Sequence, residues 1–298
     1  MKDVISVIKS RWFLNLLVAV MIAGLVALLV EMFWSKALHS DFFAVSVPRP
    51  DTPEWLDGDV VWRAIQDDEY LSRRHSTLEP DLERRVAERL AEIPWVKYVI
   101  RVKKTYPNRL DIKLEYRRPV AEVVEKGVWY LVDEDGVCLG PEEKNYYSFG
   151  KLYGYEELPS IQGAIKEGTK MKPGHKWSNE AVASGARLAA TLVPLLKKIA
   201  SMKKAGTAVE SIVAVDVSNF GGRVKKDRSS VVLLTTNKEI RWGHTAVNAG
   251  PDEQGQKEKL TELTKFYDKS PTLEKYNGVR FGRIIDIRWG PGGNTTSD

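Results

Sequence analysis

The stretch at residues 93–121, IPWVKYVIRVKKTYPNRLDIKLEYRRPVA, decides the reading of this chain. Two runs alternate apolar and charged residues around a short loop that contains Pro107. Alternation of period two with one apolar face predicts a β-hairpin covered on one side. Val96, Tyr98, Ile100 and Val102 form the apolar face of the first strand, answered by Leu110, Ile112, Leu114 and Tyr116 on the return strand. Lys97, Arg101, Lys103, Arg109, Asp111, Lys113 and Glu115 point the other way, so the second face is predominantly basic.

The cover for the apolar face is expected from upstream. Leu82, Val86, Leu90 and Ile93 recur at helical spacing, in a helix that Pro80 and Asp81 open and Pro94 stops. An earlier helical run starts at Asp57-Gly58 and sets Val60, Val61, Ala64 and Ile65 on one face. Before it lies a β-like run, FFAVSV at residues 42–47, followed by a break at Pro48, Pro50 and Pro53. A charged connector, DDEYLSRRHSTLEP, separates the two helices. Together these elements predict a β-α-α-β-β unit over residues 41–118.

Further upstream, residues 13–30 (FLNLLVAVMIAGLVALLV) carry no charge and one polar residue, Asn15. About 20 such residues suffice for a membrane-spanning helix. A cleaved signal peptide has a shorter apolar core and a small-residue cleavage site. Here Ser35-Lys36-Ala37 sits behind the bulky Met32, Phe33 and Trp34, so an uncleaved anchor over residues 13–34 is the expectation. Lys2, Lys9 and Arg11 precede it and Lys36 alone follows closely, which keeps residues 1–12 in the cytoplasm and the bulk of the chain outside. Trp12, Phe33 and Trp34 fit the aromatic belts of the two interfaces.

Downstream, residues 119–290 predict a second, mixed α/β domain. VWYLVD (128–133) and GVCL (136–139) flank an Asp-Glu-Asp-Gly turn. Residues 177–204 read as a helix with Ala181, Leu188, Leu192, Leu195, Ile199 and Met202 on one face, which Pro194 should kink or split. Strands follow at 212–217, 230–236 and 239–242, then a helix near 257–267 and a last strand at 280–289, RFGRIIDIRW. The tail at 291–298 is expected to be disordered. The fold class is α+β behind a single membrane helix.

Catalytic chemistry finds no foothold. The four histidines (His39, His75, His175, His244) lie far apart and read as solvated surface residues, with no metal-ligand spacing. Cys138 is the one cysteine, lies in an apolar run and reads as a buried small hydrophobe. Nucleophile-elbow, phosphate-loop, dinucleotide-binding and zinc-protease patterns are absent. No catalytic residue, metal or cofactor is expected, nor a nucleic-acid partner or a small-molecule substrate. Net charge is a modest +5, and basic surface outside a membrane suits anionic lipid or an acidic partner.

The order of elements resembles the FtsQ/DivIB family of bacterial cell-division proteins, in which the small unit is a POTRA domain and the larger one the β domain. The matching residues are 93–121, the turn LVDEDGVCL at 131–139, LPSIQG at 158–163, IRWG at 240–243, EKLTELTKFY at 258–267 and IIDIRWG at 284–290. Three features depart from the family pattern, one being the enlarged helix with Pro194 and the connector before it. A proline-rich insertion at 48–58 follows the first strand, and Asp286-Ile287-Arg288-Trp289 stands where the family commonly has Asp-Leu-Arg-Tyr. The resemblance implies an assembly protein that binds bitopic division proteins of the FtsB and FtsL type outside the cytoplasmic membrane, at the division septum. It implies that the C-terminal strand is an exposed edge to which the partner adds a strand, with Asp286, Arg288, Trp289, Gly290 and Gly292 at the contact. A second contact face is expected on the hairpin at Lys97, Arg101, Lys103, Arg109 and Arg117. The competing readings are another POTRA-containing envelope assembly protein and a membrane-anchored envelope hydrolase. Neither POTRA repeats and a barrel nor a nucleophile constellation is visible for them.

Overall fold

The computed structural model of the chain describes residues 2–38, 40–125, 127–141, 148–155, 157–163, 171–224, 231–244, 255–274 and 284–287. It is a mixed α/β protein with one long N-terminal helix followed by a sheet-rich region. Two compact units emerge. The first takes residues 1–49, 65–90 and 99–113, and the second takes 50–64, 91–98 and 114–298.

In the first unit, α1 (Lys2–Leu38) is a continuous helix. Its window Leu14–Leu38 has a mean hydropathy of 2.7 and none of it is buried by the protein, so it is long and apolar enough to cross a membrane. A pair of tight turns leads from α1 into β1 (Ala44–Val45). β1 pairs antiparallel with β2 (His75–Ser76), Ala44 opposite Ser76 and Val45 opposite His75. Between them lie α2 (Gly58–Asp67), which runs from one unit into the other, and the single turn α3 (Glu69–Ser72), where the Asp68 carboxylate accepts from the Tyr70 and Leu71 N–H groups. α4 (Leu82–Ala91) buries Leu82, Val86 and Leu90, the positions its periodicity singled out. β3 (Val96–Thr105) and β4 (Arg109–Tyr116) form the hairpin as a two-stranded sheet of their own.

Two expectations change here. The charged connector contains α3 and β2, so the β-α-α-β-β order gains two elements and β1 pairs with β2. A strand of two residues leaves no periodicity for a sequence to display. On β4 the apolar positions turn inward as expected, but on β3 Tyr98 and Ile100 are 59% and 54% exposed. The pleat shifts along β3: Ile100 and Arg101 are both exposed, while Val96, Val99 and Val102 are more sheltered. Strict alternation in sequence cannot register a slip of that kind.

The second unit is built on an eight-stranded mixed sheet, counted among the described residues, in the order β12-β11-β10-β9-β8-β5-β6-β7. Its strands are β5 (Pro119–Glu125), β6 (Val128–Asp133), β7 (Cys138–Pro141), β8 (Ser160–Gln162), β9 (Ile212–Asp216), β10 (Val231–Thr235), β11 (Glu239–Gly243) and β12 (Ile284–Asp286). Directly paired residues share a face, so the register lines up Tyr130, Val123, Ile161, Val215, Leu233, Ile240 and Ile285 in one row across seven strands. Each of the seven is at most 4% exposed. This row is the core.

Helices cover that face. The short α5 (Phe149–Tyr153) precedes β8. The long α6 (Glu180–Lys204) connects β8 to the parallel β9, and α7 (Gln256–Lys269) connects β11 to the parallel β12. Parallel neighbours need such crossovers. α6 meets the sheet closely at Gly185, where a Cβ would lie 3.1 Å from Ile161 and 3.2 Å from Val217. A Lys198–Asp268 ion pair joins α6 to α7. Pro194 lies inside α6 without dividing it. It is exposed, so the carbonyl it deprives of a partner can be hydrated.

Candidate functional site

The C-terminal end of the sheet is where the resemblance put the partner. β12 runs parallel to β11, with Ile284, Ile285 and Asp286 opposite Glu239, Ile240 and Arg241. Beyond it, the Ile287 N–H donates to the Arg241 carbonyl. In a parallel pair both backbone groups of a residue face the same side, and consecutive residues alternate. Ile285 and Ile287 therefore face β11, and the N–H and C=O groups of Ile284 and Asp286 face away from it. The inward side chains hold the strand in place: Ile285 is 4% exposed and Ile287 fully buried. β12 is the last strand on this side among the described residues. Arg288, Trp289, Gly290 and Gly292 lie outside the described residues, as do the tail at 291–298 and His39.

The element that delivers β12 is firmly seated. In β11, Trp242 is fully buried and donates its indole N–H to the Gln256 side chain at 2.7 Å. Gln256 in turn donates to the His244 carbonyl at 2.8 Å. Lys259, also fully buried, carries its ammonium 5.8 Å from the Trp242 ring centroid. These contacts fix the start of α7 against the end of β11. Leu263 and Tyr267 are buried farther along the helix, and burial pushes the Tyr267 hydroxyl well above its ordinary range.

The basic residues of the hairpin face take different partners. Lys97 and Arg117 turn to the Asp133-Glu134-Asp135 turn between β6 and β7. Lys97 Nζ lies 2.6 Å from Glu134, and that hydrogen-bonded carboxylate holds the ammonium above its usual range despite partial burial. Arg117 donates to Asp133 at 2.6 Å, where the carboxylate is 2% exposed. Asp133 also accepts from the backbone N–H groups of Asp135 and Val137, so one buried carboxylate organises the whole turn. Arg101 pairs instead with Asp111 across the hairpin. Lys103 and Arg109 remain exposed.

The sequence reading missed the Asp133 centre. Its signals were the turn motif itself and an Arg-Arg pair just before Pro119, each of which reads as solvated when taken singly. His75 is a second correction: it is 3% exposed. Its Nε2 lies 2.8 Å from the Tyr70 carbonyl and its Nδ1 3.8 Å from Glu79, and its ring rests on that of Tyr70. Strand β2 carries it inward, and the polar connector in which it lies gave no hint of a strand. His175 is exposed and His244 partly so. Cys138 is fully buried, and burial pushes its thiol up to about 11. Among the described residues no three His, Cys, Asp or Glu side chains gather as metal ligands would. No protein-family model and no curated protein matches this chain.

Proposed function

We propose that the chain is a single-pass membrane scaffold of the FtsQ/DivIB type, which takes up a strand from another bitopic division protein at its β12 edge. In this reading residues 1–12 are cytoplasmic, α1 anchors the chain in the cytoplasmic membrane, and the rest lies outside at the division septum. The small unit is its POTRA-type domain. The observation that carries the proposal is the edge position of β12 among the described residues, where the outward backbone groups of Ile284 and Asp286 suit strand addition. In strand addition the backbone supplies affinity, and side chains alternating along the edge supply selectivity. Arg288 and Trp289 belong to the residue types enriched where binding energy concentrates, and partners of the FtsB or FtsL type are the ones the family pattern implies.

The test is a pull-down of the full chain in detergent with an FtsB-type partner from the same cell. Replacing Arg288 and Trp289 together with alanine should weaken capture by about 2 kcal/mol or more, a loss of roughly thirtyfold. The far-ultraviolet spectrum should stay unchanged. Equal capture by the variant would remove the edge assignment. A fluorescent fusion should gather at midcell during division, and uniform envelope staining would remove the scaffold reading.

A further inference from the structure

Two exposed aromatic residues of the first unit come from distant parts of the sequence, and their chain neighbours meet at one threonine. Phe42 is 63% exposed and Tyr106 61% exposed. Thr77, fully buried, donates its backbone N–H to the Phe43 carbonyl at 2.8 Å, and its hydroxyl contacts the carbonyls of Phe43 and Pro107. The immediate neighbours of the two aromatics are thus tied to a single side chain. Three arginines lie close to these residues along the chain. Arg74 pairs with Asp41 at 3.3 Å but stays 71% exposed, and Arg73 lies over the Tyr70 ring. Arg109, three residues past Tyr106, is exposed.

The position of this cluster follows from the chain. Counting about 20 residues of hydrocarbon from Phe13 brings the far interface to Met32–Trp34. Leu38, the last residue of α1, is then about 9 Å farther along the helix axis, at headgroup level. The chain does not extend away from there. Ser40 N–H donates to the Ala37 carbonyl, Phe43 to Ser40 and Ala44 to Asp41, so Phe42 is held within turns of the helix end. Exposed aromatics beside arginines are the composition of a membrane–water interface.

Resting on the anchored reading above, we infer that Phe42 and Tyr106, with Arg73, Arg74 and Arg109, dock the first unit onto anionic phospholipid headgroups of the bilayer that α1 crosses. The acidic groups nearby do not oppose this. Asp41 is already paired with Arg74. Glu79 is turned inward, accepting from Ser76 N–H and facing His75. Glu31 lies on α1 at the edge of the hydrocarbon, and Lys36 follows it.

The experiment uses the full chain in lipid nanodiscs with a nitroxide label on single cysteines introduced as Phe42→Cys, Tyr106→Cys, Lys113→Cys and Leu25→Cys. Cys138, buried with its thiol raised, labels slowly at neutral pH and needs no replacement. Lys113 is exposed in the same unit, six residues and about 20 Å along β4 from the hairpin loop. In nanodiscs containing phosphatidylglycerol, labels at 42 and 106 should favour oxygen over a water-soluble nickel chelate at least about twofold more than the label at 113. In phosphatidylcholine alone that excess should disappear. Arg73→Gln with Arg74→Gln should lower the ratio of docked to undocked protein by about fivefold per arginine. Labels at 42 and 106 as wet as that at 113, with the label at 25 inside the lipid, overturn the docking surface alone. An excess that persists in phosphatidylcholine overturns the choice of anionic headgroups. A wet label at 25 overturns the anchored reading and this inference with it.

Discussion

Asp133 is the polar centre of the turn between β6 and β7. It is almost fully buried, pairs with Arg117 at 2.6 Å and closes its own turn through two backbone N–H groups. A buried charge that loses its partner is costly, so Arg117→Ala should destabilise the chain by about 3 kcal/mol. Asp133→Ala should cost at least as much, because the turn loses its acceptor as well. Urea unfolding followed by tryptophan fluorescence measures both, and losses under about 1 kcal/mol would mean that solvent reaches the pair freely. Lys97, whose ammonium sits on the more exposed Glu134, belongs to the weaker class of surface pairs.

The elements show where sequence and structure part company. LPSIQG ends in Gly163, which has φ +73°, and a Cβ there would lie 2.5 Å from the Ser218 Cβ and 2.7 Å from its Cα. Gly163→Ala should therefore destabilise by about 2 kcal/mol or more, through both strain and collision. Gly185 in α6 has ordinary helical geometry and a tighter-than-usual but yielding contact with Ile161 and Val217. There the helix propensity of alanine offsets the crowding, and Gly185→Ala should stay within about 1 kcal/mol of the parent, whereas Gly185→Leu should cost about 3 kcal/mol. Thermal melts of the three variants test the ordering. Helices α4, α6 and α7 and strands β6, β9, β10 and β11 were legible because each is long enough, or apolar enough, to show a period. β1 falls inside the β-like run at 42–47, whereas β2 and β8 span two or three residues each. They exist because neighbours pair with them, and no local pattern records that. β5 was hidden differently: PVAEVVE reads as a continuation of the hairpin's return strand, and only the break after Tyr116 makes it a strand of another sheet. Of the candidate site, IIDI was legible as part of a strand, while its place at a sheet end was only what the resemblance implied. The pairing of Lys97 and Arg117 with the acidic turn was not legible, because it depends on where that turn lands.

Across the whole molecule, buried tyrosines set a limit on the alkaline side. Burial pushes Tyr116 and Tyr153 up to about 12 from an ordinary value of 10.0, and raises Tyr155 and Tyr267 as well. A raised acid is neutral in the folded state where the unfolded chain would ionise. Its stabilising effect is complete below the unfolded value and lost as pH climbs through the folded one. The urea midpoint should therefore fall between about pH 10 and pH 12. Tyr116→Phe should flatten part of that fall while losing the hydrogen bond to the Asp51 carbonyl. The two compact units also alternate along the chain, since residues 50–64 and 91–98 belong with the later sheet while 65–90 and 99–113 belong with the earlier helix. Synthesis delivers the N-terminus first. Residues 50–64 therefore leave the ribosome before the strands they will join exist, and they wait there unprotected. The first unit has all its residues once position 113 has emerged and can form while the chain still grows, whereas the second waits for its last strands, and residues 50–64 need shelter until those arrive.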